Sequence, residues 1–405
     1  MKFAHLADTH LGYRQYGLFE REKDFYEVFD KVIDKIIEEK VDFVIHSGDL
    51  FETARPSPNA LLVFQKGLLR LKGAGIPMYA IAGNHDMVMR SGAIPPHVIF
   101  KRLGLKVISP INTNYTQGDV FIAGLPHYPS SQVKVLKSKL ADLSKMAAKY
   151  DKSILVLHQG IDKYFGYNYE LEIGDIPDNF DYYALGHIHN YINDNFGEGK
   201  LVYPGSSEIW KTSELKDYNE HGKGFVLVDF DGPKPYVKRV KIDISRQFIK
   251  RSIKYDDLES DIAGIKELIE DADKKPILDL EIKDVDSDTK VVYDIIKEEL
   301  GDLALMIRPK FTMAGEKSID EIFADENANI GPKELIIKQL EDYNSDEVNQ
   351  LALDLYDYLS KDKIDESMDL IEQFYSEFYD KTKNYESAPQ DEFEDVEETA
   401  DEVLK

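Results

Sequence analysis

The stretches "DFVIHSGDLF" at 42–51 and "PMYAIAGNHD" at 77–86 each drive an apolar, β-rich run into a glycine and then into carboxylate, amide or imidazole side chains. An apolar run ending in such polar residues, with or without the glycine, recurs in "LADTH" at 6–10, "LHQG" at 157–160 and "LGHIH" at 185–189. Sites in α/β domains are built at strand ends, so five such junctions predict one convergent site. Taken singly, an Asp-x-His pair or a GNHD turn is more readily structural. Glycines 48, 83, 160 and 186 are expected to let the chain turn where these residues meet.

The junctions supply Asp8, His10, Asp49, Asn84, His158, His187 and His189, a mixed oxygen and imidazole set. Such a set can serve two divalent ions if one carboxylate bridges them, and Asp49, alone between clusters, is the natural bridge. The donors favour Mn²⁺, Fe²⁺ or Zn²⁺ over Mg²⁺ or Ca²⁺. Two ions about 4 Å apart ionise a water and neutralise a phosphoryl oxygen. His85 is spare as a ligand and suits proton donation to a departing oxygen, with Asp86 behind it to orient the ring. Among the other histidines, His5 and His46 fall inside strands and read as core. His97, His127 and His221 read as loop or surface, with His127 in "GLPHYP" also a candidate for the cleft wall.

The chain has 405 residues, 42% hydrophobic and 11% aromatic, which fits two or three globular domains. It contains no cysteine, which excludes disulfides, thiolate sites and a cysteine nucleophile. The start "MKFAHLADTH" is too interrupted by polar residues for a signal peptide. No apolar run reaches the roughly 18 residues of a membrane span, so a cytoplasmic setting is expected. The net charge of −26 is unevenly placed. Residues 1–250 hold 32 Lys+Arg against 31 Asp+Glu, and the remaining residues hold 18 against 45. The acidity therefore belongs to the rear and does not exclude phosphate binding by the front.

Alternating β-rich and helical runs over residues 1–245 predict an α/β layered sandwich of mixed β-sheets flanked by helices. Residues 246–313 read as strand, helix, strand, helix, strand, the body of a small α/β domain placed at 246–330. From 331 to 385 the pattern is helical, with Val348, Leu351, Leu355 and Tyr358 striping one helix and Ile371, Phe374 and Phe378 another. Asn344 and Glu347 suit a capping box at the first. Residues 386–405 read as a solvated acidic tail, expected to be disordered. A short helical unit buries little alone, so its apolar face suits a partner groove or its own chain.

The order D-x-H, G-D, G-N-H-D, H, G-H-x-H resembles the calcineurin-like metallophosphoesterases over residues 1–210. "LADTHLG", "GDLFETARPSP", "AGNHD", "LGHIH" and "YPGSSE" narrow the resemblance to DNA double-strand-break repair nucleases of the Mre-eleven/SbcD type. The resemblance implies two Mn²⁺, one on Asp8, His10, Asp49 and His189 and the other on Asp49, Asn84, His158 and His187. It implies His85 at the leaving group with Asp86 behind it, exonuclease action from the 3′ side of duplex ends and endonuclease action on single strands. It further implies a homodimer, and an SMC-like coiled-coil ATPase docked through the C-terminal helices; the 246–330 domain would cap the DNA cleft. The apolar segments 60–71 and 95–105 suit either a dimer bundle or packing on the sheets. Arg55 and Arg90 follow two of the junctions and suit phosphates or plain solvent. The rival functions are a phosphomonoesterase or cyclic-nucleotide phosphodiesterase on the same fold, and a non-catalytic DNA scaffold.

Overall fold

The computed structural model describes residues 1–87, 94–166, 169–232, 234–314 and 346–359, with isolated positions at 336, 367, 370, 371 and 374. It divides into two compact units, Met1–Glu316 and Lys317–Lys405.

Unit one is built on two six-stranded sheets. The first orders its strands β12-β11-β1-β2-β3-β4, with β1 at Lys2–Leu6, β2 at Phe43–Ser47, β3 at Met78–Ile81, β4 at Lys106–Val107, β11 at Lys223–Asp229 and β12 at Tyr236–Ile242. The second runs β5-β6-β7-β8-β10-β9, with β5 at Asn114–Gln117, β6 at Val120–Gly124, β7 at Lys152–His158, β8 at Tyr182–Gly186, β9 at Ile192–Phe196 and β10 at Gly199–Tyr203. Central strands are buried on both faces, which is why they read as nearly continuous apolar runs. Phe3, Phe43, Ile45, Ile154, Val156 and Tyr182 fill the space between the sheets. The alternate residues point outward: Ala4 and Val44 meet α1 (Phe19–Glu38) and α2 (Pro58–Gly73), and Leu155 and Leu157 meet α3 (Val133–Ala147). The result is a helix–sheet–sheet–helix sandwich, as the alternation predicts.

Three strands, β4, β5 and β9, lack the long apolar run that marks the others in the sequence. All are sheet edges in the strand order, and "NYTQ" and "INDNF" carry polar side chains because an edge faces water. The apolar segment 95–105 forms a 3₁₀ helix at Pro96–Leu103 stopped by Gly104 at φ 114°.

Residues Phe248–Met313 form a parallel three-stranded sheet, β13 (Phe248–Lys254), β14 (Ile277–Val285) and β15 (Met306–Met313), with α5 (Leu258–Ile269) and α6 (Thr289–Leu300) in the crossovers. Leu278, Leu280 and Ile282 pack on Ile262, Ile265 and Ile296 in a core of their own. Charged groups tie this layer to α1: Arg246 Nε donates to Asp24 Oδ2 at 2.8 Å, Lys274 Nζ reaches Asp24 Oδ1 at 3.0 Å, and the fully buried Arg21 donates to Asp24 at 2.8 Å.

In unit two a helix, α7, runs Asp346–Leu359 and carries Leu351 and Leu355 half-buried. Ile371 is 42% exposed and Phe374 half-buried. Phe378, Asn344 and the acidic tail lie outside the described residues, as does Arg90.

Candidate metal centre

The five junctions end on one edge of the sandwich, where β1, β2 and β3 of the first sheet and β7 and β8 of the second deliver their C-terminal residues. Asp8 follows β1, Asp49 follows β2, and Asn84 and His85 follow β3. His158 ends β7, and His187 and His189 follow β8. The sharp turns are made by the polar residues themselves: Asp8, His10, Asp49 and His187 have φ of 52°, 44°, 51° and 93°. Non-glycine residues held there store strain, a recurring trait of functional sites. Of the four glycines expected to turn, only Gly48 has a positive φ, at 99°. Gly83 serves another need, since a Cβ there would land on Asp49 Oδ1.

Among the described residues three groups of potential ligand atoms result, Asp8–His10–His189, Asp49–His158–His187 and, sharing His10 with the first, His10–Glu52–His85, each with its atoms within 4.8 Å of one another. In the first, His10 Nε2 and His189 Nε2 face each other at 3.1 Å. In the second, Asn84 Oδ1 lies 3.0 Å from both His158 Nε2 and His187 Nδ1. Asp49 stands between them, its Oδ2 3.2 Å from His158 Nε2 and 3.9 Å from His10 Nε2.

The outer nitrogens test whether a metal fits. His10 Nδ1–H donates to Glu52 Oε2 and His189 Nδ1–H to Glu214 Oε1, both at 2.8 Å, and His158 Nδ1–H donates to Ser47 O at 2.8 Å. In the neutral ring each such bond leaves the inner Nε2 bearing the lone pair, and two such atoms facing each other at 3.1 Å suit a metal ion between them. Carboxylate-backed imidazoles are the usual arrangement around a bound divalent ion. The donor set fits. His187 Nε2 has a third glutamate, Glu170, at 3.6 Å. Glu52, Glu170 and Glu214 were invisible to the sequence reading, because each lies in a loop or short turn with no ligand pattern around it.

Electrostatics follow from the packing. Burial raises the Asp8 carboxyl above its ordinary value. Burial would also raise Asp49, but the imidazoles of His158, His10 and His85 overcome it and hold Asp49 well below. Burial disfavours charge on His158, yet the Asp49 carboxylate outweighs it and lifts the imidazole to about 9.

His85 is 28% exposed at the lip of a cavity of about 340 Å³ that Asp49, Asn84, Phe165, His189 and Trp210 also line. Its backbone N–H donates to Asp49 Oδ1 at 2.9 Å and its Nδ1–H to Glu52 O at 3.0 Å. The expectation that Asp86 orients His85 is therefore corrected. Asp86 is fully buried and turns the other way, accepting from the backbone N–H groups of Leu50, Phe51 and Gly83 at 3.1, 2.9 and 3.0 Å. A carboxylate one residue from a histidine in a tight turn points across the turn, so adjacency in sequence does not make contact. Its ring partner is His97, 3.6 Å away and fully buried, where the sequence suggested a surface position.

His127 lines the site, its ring stacked on His187 with centroids 5.9 Å apart. His5 and His46 are buried and bond Ser47, Tyr182 and Thr9. His221 is half-exposed at the end of α4 (Leu215–His221). Arg55 is exposed in the β2–α2 connection.

A family model described as Calcineurin-like phosphoesterase matches residues 1–191. The chain is also similar to proteins named "DNA double-strand break repair protein Mre11". With that of Methanocaldococcus jannaschii it shares 38% identity, over 84% of this chain and 88% of the relative. With that of Saccharolobus solfataricus it shares 34%, over 86% and 96%, and with that of Methanococcus maripaludis 36%, over 80% and 90%. An edge-built cluster of carboxylates and imidazoles on a two-sheet sandwich, and likeness over nearly the whole length of these relatives, lead to one conclusion: the chain is a calcineurin-like phosphoesterase of the Mre11 double-strand break repair family.

Proposed function

We propose that this chain is a two-metal DNA nuclease of double-strand-break repair, removing nucleotides from the 3′ side of duplex ends and cutting single strands internally. The observation that carries this reading is Asp49, whose carboxylate lies within 4 Å of a histidine from each ligand group. Asp8, His10, Asp49 and His189 would hold one Mn²⁺, and Asp49, Asn84, His158 and His187 the other. When bound, the pair supplies an ionised water and neutralises charge on the phosphoryl oxygens.

The remaining chemistry belongs to side chains. His85 donates its Nδ1–H to Glu52 O, so Nε2 is the nitrogen left to carry a proton into the cavity and release it to the departing oxygen. Trp210 packs beside His10, His85 and His189 with its Nε1–H on Glu52 Oε2 at 3.1 Å, and lines one side of the cavity. Arg55 and Arg90 would contact phosphates, and residues 246–330 would cap the DNA cleft.

The chain would act as a homodimer. Leu62 and Leu69 on α2 and Ile99 on the 3₁₀ helix, at 51%, 43% and 58% exposure, leave an apolar strip suited to a second copy. Leu351, Leu355, Ile371, Phe374 and Phe378 would dock a coiled-coil ATPase of the SMC-like kind.

End-labelled duplex DNA incubated with Mn²⁺, with Mg²⁺ and with chelator, using wild type and His85→Ser, tests the reading. Mn²⁺-dependent shortening of the 5′-labelled strand from its 3′ end, abolished by the variant, is expected. Intact DNA beside hydrolysed small phosphoesters would instead make the protein a small-substrate phosphoesterase.

A further inference from the structure

A second cavity, of about 550 Å³, opens between the turn leading into α4 and β13. Ser213, Lys216, Phe248, Lys250, Arg251 and Leu268 are on its wall. Ser213 also lines the cavity over the ligand cluster, and the next residue, Glu214, is the acceptor for His189. The two cavities thus lie on either side of one short turn.

Three cations stand on this wall. Lys216, Lys250 and Arg251 are exposed and, among the described residues, none of them makes an ion pair. The acids nearest in sequence and register are engaged elsewhere. Asp217 accepts from Tyr191 N, and Asp279, across the sheet from Lys250, lies 4.0 Å from Arg308. The wall also has an apolar part: Leu268 is 50% exposed, and Phe248 is held by the buried Arg21 guanidinium 4.8 Å from its ring centroid. Free cations beside apolar and aromatic surface are what a single strand needs, with phosphates on the cations and a base on the apolar wall. The volume is that of a small-ligand pocket, about 300–1,000 Å³, and far too small for a duplex.

We propose that this cavity binds roughly one or two nucleotides of a single strand that continues past the metal centre, and so fixes which strand is presented for cleavage. The proposal rests on the nuclease reading above. Lys216→Gln, Lys250→Gln and Arg251→Gln combined, checked for native circular dichroism, are compared with wild type and with the distant exposed Lys145→Gln. The readouts are the Kd of a labelled single-stranded oligonucleotide as a function of salt, and kcat/KM on that oligonucleotide relative to bis(p-nitrophenyl) phosphate.

The expected result is a Kd raised about tenfold or more and a salt slope smaller by about 0.7 for each cation removed. The oligonucleotide-to-small-substrate ratio of kcat/KM should fall with it through KM, and Lys145→Gln should match wild type. A triple variant that binds and cuts oligonucleotides like wild type overturns the pocket and leaves the nuclease reading standing. Wild-type protein that hydrolyses the small phosphodiester but neither binds nor cuts oligonucleotides overturns both.

Discussion

At the scale of residues, His85 and Asp86 are neighbours turned in opposite directions. His85→Gln should lower kcat on DNA about 10²-fold or more, as loss of a positioned proton donor does, while Mn²⁺ affinity by calorimetry stays near wild type. Asp86→Ala should act on stability, leaving three buried backbone N–H groups without an acceptor. A loss of roughly 2–5 kcal/mol in urea unfolding is expected; a fully stable Asp86→Ala protein with the kinetics of His85→Gln would restore the expectation read from adjacency. Glu52 bonds both His10 and Trp210, so Glu52→Ala should weaken metal binding about 10- to 100-fold and shift the fluorescence of the chain's single tryptophan.

His158 gives the pH dependence. Its folded value of about 9 lies above the ordinary 6.5, so in the metal-free protein its stabilising contact with Asp49 is fully present below 6.5 and is lost as pH rises through 9. Metal binding needs the neutral ring, so Mn²⁺ affinity should increase about tenfold per pH unit between neutrality and 9, with a proton released into buffer. Affinity flat over that range would contradict a His158 ligand. All the ligand-type residues were legible as strand-end polar residues. The three supporting glutamates were not, because a carboxylate contributed by a distant loop has no periodicity to betray it.

At the scale of elements, the central strands and α1 were readable because burial on two faces, or on one helical stripe, forces an apolar pattern. The edge strands β4, β5 and β9 obey no such demand and look like loops. Asp24 shows what patterning cannot express. It lies on α1 yet binds Arg246 and Lys274, which flank the first strand and first helix of the three-stranded layer. Burial alone would raise its carboxyl, but Arg246, Arg21 and Lys274 hold it below the ordinary 3.8. The stability this adds is full above 3.8 and is lost as pH falls through the lower folded value. Asp24→Asn should therefore flatten the acid limb of the thermal-stability profile and speed proteolysis between residues 243 and 275. A profile unchanged from wild type would mean that apolar contacts alone fix that layer.

At the scale of the whole molecule, charge divides along the sequence: residues 1–250 are near neutral and hold the candidate ligand cluster, and the acidic excess belongs to residues 251–405. Among the described residues no helix is long and apolar enough to cross a membrane. The sandwich was legible from strand count and alternation. The convergence of five separate chain segments on one edge was legible only as an expectation, because the distance between Asp49 and His158 depends on how two sheets stack.

The account stands on Asp49 serving two ions at once. Electron paramagnetic resonance of the wild-type protein titrated with Mn²⁺ tests this directly. Two equivalents per chain with an exchange-coupled signal, collapsing to uncoupled or absent binding in Asp49→Asn, is the predicted result. A single uncoupled Mn²⁺ per chain at saturation would contradict the account.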